Sequence, residues 1–297
     1  MDRNEWIMCN MDRNELIRKK MQEHYKCMLE LYPADRIVGV FLQGSQNYNM
    51  DDVYSDVDTK CLIVPSVDEI VLAKQPVSVT HCIVDGKLVY TEEEKMGAEH
   101  CDAKDIRLYW KTLLKANINF VEILFTDHYI INAMYEDFWN EILSMREAIA
   151  RVNPLAAIKA MMGMVSEKYF ALTHRYPSRV EWLDKFGYDP KQLHHLIRIY
   201  YFMHVYFYGK DMFSYNDLVK SKHVLPAEAK NIKDIKRLGC GDLECAQKQA
   251  DSFFELAKKI YEEAKLDYDG KDNEEIKNKM FDIMAEIVKL SIRKELE

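Results

Sequence analysis

Strand-type patterning ends near Tyr135 in this 297-residue chain, and from there to Glu297 the apolar residues recur only at helical spacing. Such a chain cannot be all-β, nor a regular alternation of strand and helix. It has to place one sheet, built by its N-terminal half, beside a helical C-terminal half, which is the α+β class. The division falls near residue 150, giving a domain of strands and helices over 11–150 and an all-helical domain over 151–297. That length is enough for two compact domains.

Within the first half, Leu16, Ile17, Met21, Tyr25, Met28 and Leu29 share one face of a helix predicted over 14–31, which Pro33 stops. The short apolar run 37–42, rich in β-formers and closed by Gly44, suits a buried strand. A second strand is expected over 56–64, with Pro65 ending it, and Asp85-Gly86 between two alternating runs marks a hairpin over 77–90. A helix follows over 105–116, and 120–125 reads equally as a strand or a helical turn. In the second half, helices are expected over 138–151, 154–173, 190–208, 243–265 and 274–296, with Pro154 and Pro190 near helix starts.

The formal net charge of -8 argues against a broad electrostatic grip on nucleic acid and leaves room only for a local basic groove. The seven cysteines (Cys9, Cys27, Cys61, Cys82, Cys101, Cys240, Cys245) lack the paired spacing of a zinc site or a disulfide framework. They read as reduced thiols of a cytoplasmic protein. No stretch has the apolar length of a membrane span, and charges occupy the N-terminus where a signal peptide needs its apolar core. Met1-Asp2-Arg3-Asn4-Glu5 recurs as Met11-Asp12-Arg13-Asn14-Glu15, so the natural start is expected near Met11.

The chemistry concentrates between the first two strands. Asp56 and Asp58 are separated by one residue, so on a strand both carboxylates project from one face and can ligate one hard cation. Oxygen ligands of this kind suit Mg²⁺ (or Mn²⁺), which keeps part of its shell for water and phosphate oxygens. Gly44 lets the backbone approach a bulky anion, and Ser45 adds a hydroxyl and an N–H, more effectively if a helix starts there. Farther on, Lys191, His195 and Arg198 are spaced to form a cationic stripe on one helical face, fit for a triphosphate. The plainer alternative is a solvated basic face with His194 or His195 in the core. Lys60 and Arg107 read either as supports for phosphate or carboxylate, or as charges on an exposed edge.

Gly44-Ser45 ending one strand and Asp56-x-Asp58 beginning the next resemble the signature of DNA polymerase β-like nucleotidyltransferases. With Tyr48, Ser55 to Lys60, Asp105-Ile106-Arg107, Asn117 and Glu122 to Thr126, the chain over about 36–200 is similar to a bacterial and phage group associated with RNA repair. The resemblance implies a metal-dependent transfer of a nucleoside monophosphate from a nucleoside triphosphate to an acceptor hydroxyl, with an RNA end leading protein and small-molecule acceptors. It implies a third carboxylate beside Asp56 and Asp58; Asp102 is favoured, Glu99 and Asp105 are the alternatives, and Asp105 also reads as a helix cap. It further implies nucleotide contacts from Gly44, Ser45, Tyr48 and Ser55, and a nucleotide-binding helix carrying Lys191, His195 and Arg198 over the catalytic domain. A catalytically silent nucleotide sensor on the same fold is the competing expectation, and the presence of both aspartates weighs against it.

Overall fold

The computed structural model describes residues 12–52, 55–95, 97–268 and 273–297. The expected upstream extension and Cys9 lie outside the described residues. Helix α1 (Arg13–Leu31) leads into β1 (Ile37–Gln43), β2 (Asp58–Ile63), β3 (Ser78–Val84), β4 (Lys87–Val89) and β5 (Glu99–Asp105), and β6 (Tyr129–Ile131) follows later. These form one mixed six-stranded sheet in the order β4-β3-β5-β2-β1-β6. β2 and β5 run parallel, and every other pairing is antiparallel. Beyond β6 the described chain is helical, so the expected α+β architecture is what the structure has.

The hairpin forms where the sequence places it. Asp85 and Gly86 have φ of 48° and 72°, the doubly positive pair a two-residue hairpin turn needs to match strand twist. A Cβ on Gly86 would come within 3.2 Å of Glu23 Cγ on α1. Gly86→Ala is therefore expected to lower the unfolding free energy by roughly 1–2 kcal/mol, from left-handed strain plus that contact. A urea midpoint equal to that of the parent chain would contradict it.

Several elements differ from the sequence reading. Residues 120–125 are not one of them, since the helical alternative holds: a short helix (Ile118–Val121) passes into a 3₁₀ turn (Glu122–Phe125). The helix expected over 138–151 is two, Glu136–Ser144 and Arg146–Ala150, broken at Met145 with φ -108° and ψ 4°. β6 and the helices Val180–Phe186, Tyr215–Val219 and Pro226–Leu238 were not expected. β2 begins at Asp58, so Asp56 precedes the strand.

Two apolar clusters flank the sheet. On one face Ile37, Val40, Leu42, Cys61, Ile63, Cys101 and Ala103 pack against Ile17, Met21, Cys27 and Met28 of α1. A bulge between Ile37 and Gly39 lets Ile37 and Val40 share that face. On the other face Val38, Phe41 and Leu62 open a second core that runs through the helices to Ile287, crossing residue 150 without a break. The described cysteines are all free thiols. Among the described residues, no helix is long and apolar enough to cross a membrane.

Candidate active site

The site grows from the end of β1 and the start of β2, where Gln43 pairs with Asp58. Gly44, at φ 79°, turns the chain out of the sheet, and Asn47 N donates to Gly44 O at 2.9 Å while Met50 N donates to Ser45 O at 3.1 Å. Ser45 thus sits in a succession of turns and not at a helix start. Beneath it the buried Glu122 accepts from Gly44 N at 3.4 Å, and Asn47 Nδ2 donates to Glu122 O at 3.0 Å.

Strand pairing then decides which carboxylates converge. In the parallel β2–β5 ladder Lys60 pairs with Asp102, so Asp58, Lys60, His100, Asp102 and Lys104 share a face. His100 donates its backbone N–H to Asp58 Oδ1 at 3.0 Å, with its Nδ1 3.3 Å away, and that hydrogen bond raises the His100 pKa above the ordinary value. Asp56 lies at the cavity mouth, its carboxyl raised above the ordinary range by burial and by Asp58 and partly restored by Lys191. Asp102 keeps to the same face but has partners of its own: Thr80 Oγ1 donates at 2.6 Å, Gln43 Nε2 at 3.2 Å and Lys60 Nζ at 3.5 Å. Against the upward push of burial, these hold its carboxyl below the ordinary range.

The two alternatives to Asp102 are placed elsewhere. Glu99 points to the opposite face, toward Lys20 at 3.2 Å and His24 at 3.4 Å. Asp105 caps the helix Ile106–Leu113, accepting from Arg107 N at 2.8 Å and pairing with the Arg107 guanidinium at 2.6 Å. Among the described residues, no group of three His, Cys, Asp or Glu side chains stands ready to hold a metal. The geometry offers two carboxylates, Asp56 and Asp58, as an all-oxygen donor set. That set fits a hard cation which completes its shell with water and phosphate oxygens.

Opposite the carboxylates stands the helix Pro190–Tyr208, capped by Asp189, which accepts from Lys191 N at 2.9 Å. A cavity of about 370 Å³ between sheet and helices is bordered by Gly44, Ser45, Tyr48, Ser55, Asp56 and Asp58 on one side, and by Arg179, Trp182, Lys191, His194, His195, Lys236 and Arg237 on the other. A neighbouring cavity of about 350 Å³ shares Gly44, Tyr48, Asp58 and His195 and adds Asp102 and Arg198. Asp56, Asp58, Asp102, Gly44, Ser45, Tyr48, Ser55, Lys191, His195 and Arg198 therefore each border one of two adjoining cavities, with Lys191 at one and Arg198 at the other, while Glu99, Asp105 and Arg107 border neither.

The expected cationic stripe is chemically different from its sequence reading. Burial, then His194, Arg198 and Lys191, drive the His195 pKa well below the ordinary value, so His195 is a neutral imidazole at pH 7. His194 is a core residue, its Nδ1 bonded to Ile232 O at 2.6 Å and its pKa pushed down by burial to about 3. The positive wall comes instead from residues the sequence reading missed. Lys236 donates to Ser55 Oγ at 3.2 Å, and Arg237 clamps Asp52 at 2.8 and 3.0 Å, tying the helix Pro226–Leu238 to the loop that carries Asp56. Arg179 pairs with Asp189 at 2.6 and 2.9 Å and lies 5.1 Å from the Trp182 ring centre. The basic pair Lys236-Arg237 was the available signal, but it belongs to a helix that had not been identified.

No family model matches the chain. No curated protein matches it either. Among solved structures the chain is similar to a nucleotidyltransferase-like protein from Exiguobacterium sibiricum 255-15, at 11% identity over 83% of this chain and 76% of that one, with a TM-score of 0.30. A likeness this shallow says nothing about chemistry, and the site geometry has to speak for itself.

Proposed function

We propose that the chain is a polymerase β-like nucleotidyltransferase that moves a nucleoside monophosphate from a nucleoside triphosphate to an acceptor hydroxyl, with Mg²⁺ or Mn²⁺ held by Asp56 and Asp58. One observation carries this reading: two neighbouring carboxylates on the sheet side of a cavity face Arg179, Lys191, Lys236 and Arg237 on its helical side. Carboxylates alone would repel a triphosphate, and cations alone would have no use for an all-oxygen metal pair. A metal–triphosphate complex satisfies both walls at once.

When bound, the metal would supply charge neutralisation at the α-phosphate and the leaving pyrophosphate. The chain's own residues would do the rest by positioning and electrostatics. Gly44 and Ser45 bring backbone and a hydroxyl to the phosphates, and Lys191 and Lys236 supply positive charge across the cavity, with Arg237 beside them engaged by Asp52. The acceptor oxygen forms a bond to the α-phosphorus, the bond to the bridging oxygen of pyrophosphate breaks, and the hydroxyl proton leaves to water. RNA ends are the first acceptor class to test.

Incubation with α-labelled triphosphates, Mg²⁺ and a mixed pool of cellular RNA and protein tests the proposal. Label should become covalently attached to one acceptor class with equimolar pyrophosphate release, and γ-label should leave with the pyrophosphate. Absence of attached label from every triphosphate would count against it. Lys191→Met is expected to weaken triphosphate binding about tenfold, since a phosphate-facing charge-assisted hydrogen bond is worth roughly 1.5 kcal/mol. Unaltered affinity would remove Lys191 from the site.

A second reading has its own observation. Lys60 Nζ lies 3.5 Å from Asp102, which ties that carboxylate to a cation on the protein instead of leaving it to a second metal. A nucleotide sensor fits that arrangement. Its mark would be metal-dependent triphosphate binding with no pyrophosphate release across varied acceptors.

A further inference from the structure

We propose that the cavity beside the triphosphate site receives a phosphate-bearing acceptor, with Arg198 as its principal anion ligand. The inference rests on the nucleotidyl-transfer reading, because Asp58 borders both cavities and any group seated in the second lies next to the metal ligands.

Arg198 supplies the strongest observation. It is 8% exposed, its guanidinium lies 3.9 Å from the centre of the Tyr48 ring, and its buried Nε has no hydrogen-bond partner among the described residues. A buried guanidinium donor left unpaired is costly, and native structures rarely keep one without a use. Packing over the Tyr48 ring restrains the guanidinium, whose forked donor geometry recognises phosphate.

The acids in this cavity are largely accounted for. Asp102 is held by Thr80, Gln43 and Lys60. Glu122 accepts from Gly44 N and balances part of the Arg198 charge, while burial raises its pKa to about 7, so it cancels only a fraction of the positive field at neutral pH. Lys104 and Lys168 add cations to the lining. Phe120, Met164 and Ile199 give apolar wall for a sugar or ring, and about 350 Å³ is near the small end of small-molecule sites.

Arg198 is also in the wrong place for the donor triphosphate. It stands seven residues beyond Lys191 on one helix, roughly 10 Å along the axis. Lys191 borders the first cavity and Arg198 the second, with Gly44, Tyr48 and His195 shared between them.

Calorimetry on the full chain tests the assignment. Ribose 5-phosphate, and separately a 5′-phosphorylated oligoribonucleotide, are titrated with and without saturating Mg²⁺ and α,β-methylene ATP. One phosphate site competed by inorganic phosphate is expected. Arg198→Met should weaken the phosphate probe tenfold or more, and more than it weakens the ATP analogue, while Lys191→Met shows the reverse order. Lys168→Met, a change nearer the surface, should weaken the phosphate probe severalfold and covers the case in which the Arg198 variant fails to fold. Tighter binding of the oligonucleotide than of the sugar phosphate assigns the phosphate to a nucleic-acid end, and equal binding assigns it to a free small molecule. If the analogue binds and neither phosphate probe does, or if Arg198→Met removes analogue binding and spares the probe, the acceptor site is refuted and the nucleotidyl-transfer reading stands. Loss of metal-dependent analogue binding in the parent chain refutes that reading instead, and the probe titration without analogue still decides whether Arg198 binds phosphate.

Discussion

Nucleotidyl transfer is expected to fall at least about a thousandfold in Asp58→Ala, since removal of a metal ligand takes away charge stabilisation made in the transition state. Asp58 is fixed by strand pairing with Gln43 and by the His100 N–H. Asp56→Ala is expected to give the same loss. Neither change touches the apolar core, and Asp58 keeps 34% of its side chain exposed, so stability should stay within about 1 kcal/mol of the parent. Circular dichroism and thermal melting check folding, and single-turnover label transfer checks chemistry. Undiminished turnover in a folded Asp58→Ala protein would remove this residue from the mechanism.

Glu122→Gln should stabilise the protein at pH 8 and do so much less at pH 5. Burial raises the Glu122 carboxyl to about 7, against the pull of Arg198, Lys60, Lys220 and the Gly44 N–H. An unfolded glutamate ionises near 4.3. Between those values the folded chain binds a proton that the unfolded chain has released, so the stability contribution is complete below the unfolded pKa and is lost as pH rises through 7. The full effect is on the order of 3 kcal/mol, a net figure in which the attraction to Arg198 and Lys60 is already counted. Glutamine keeps an oxygen for Gly44 N and sheds the ionisation. Urea midpoints at the two pH values measure it, and a variant less stable than the parent at pH 8 would mean that charge pairing outweighs desolvation.

Much of the sheet and much of the site were legible in the sequence because they rest on local rules. The Asp85-Gly86 turn, the apolar run of β1 and the prolines at 154 and 190 each announce their element through backbone chemistry. Gly44, Ser45, Asp56 and Asp58 of the candidate site were readable because they lie close in sequence, between the end of β1 and the first residue of β2. β5 was not readable from apolar patterning, because its site face carries His100, Asp102 and Lys104 and its buried face offers only Cys101, Ala103 and the capping Asp105. A strand that turns a polar row toward a cavity loses the apolar alternation used to find strands. Lys236 and Arg237 were hidden for a different reason: they reach Ser55 and Asp52 from about 180 residues away, and only tertiary packing makes them part of the site. Likewise the burial that lowers the His195 pKa is a product of tertiary packing and is invisible in its spacing from Lys191 and Arg198.

Mn²⁺ titration followed by electron paramagnetic resonance, with and without a nonhydrolysable triphosphate, tests most directly whether Asp56 and Asp58 form a metal–nucleotide site. One bound ion whose affinity rises when the triphosphate is present, and which disappears in Asp58→Asn, is the expected result. Equal Mn²⁺ binding with and without triphosphate, or full retention in Asp58→Asn, would contradict it.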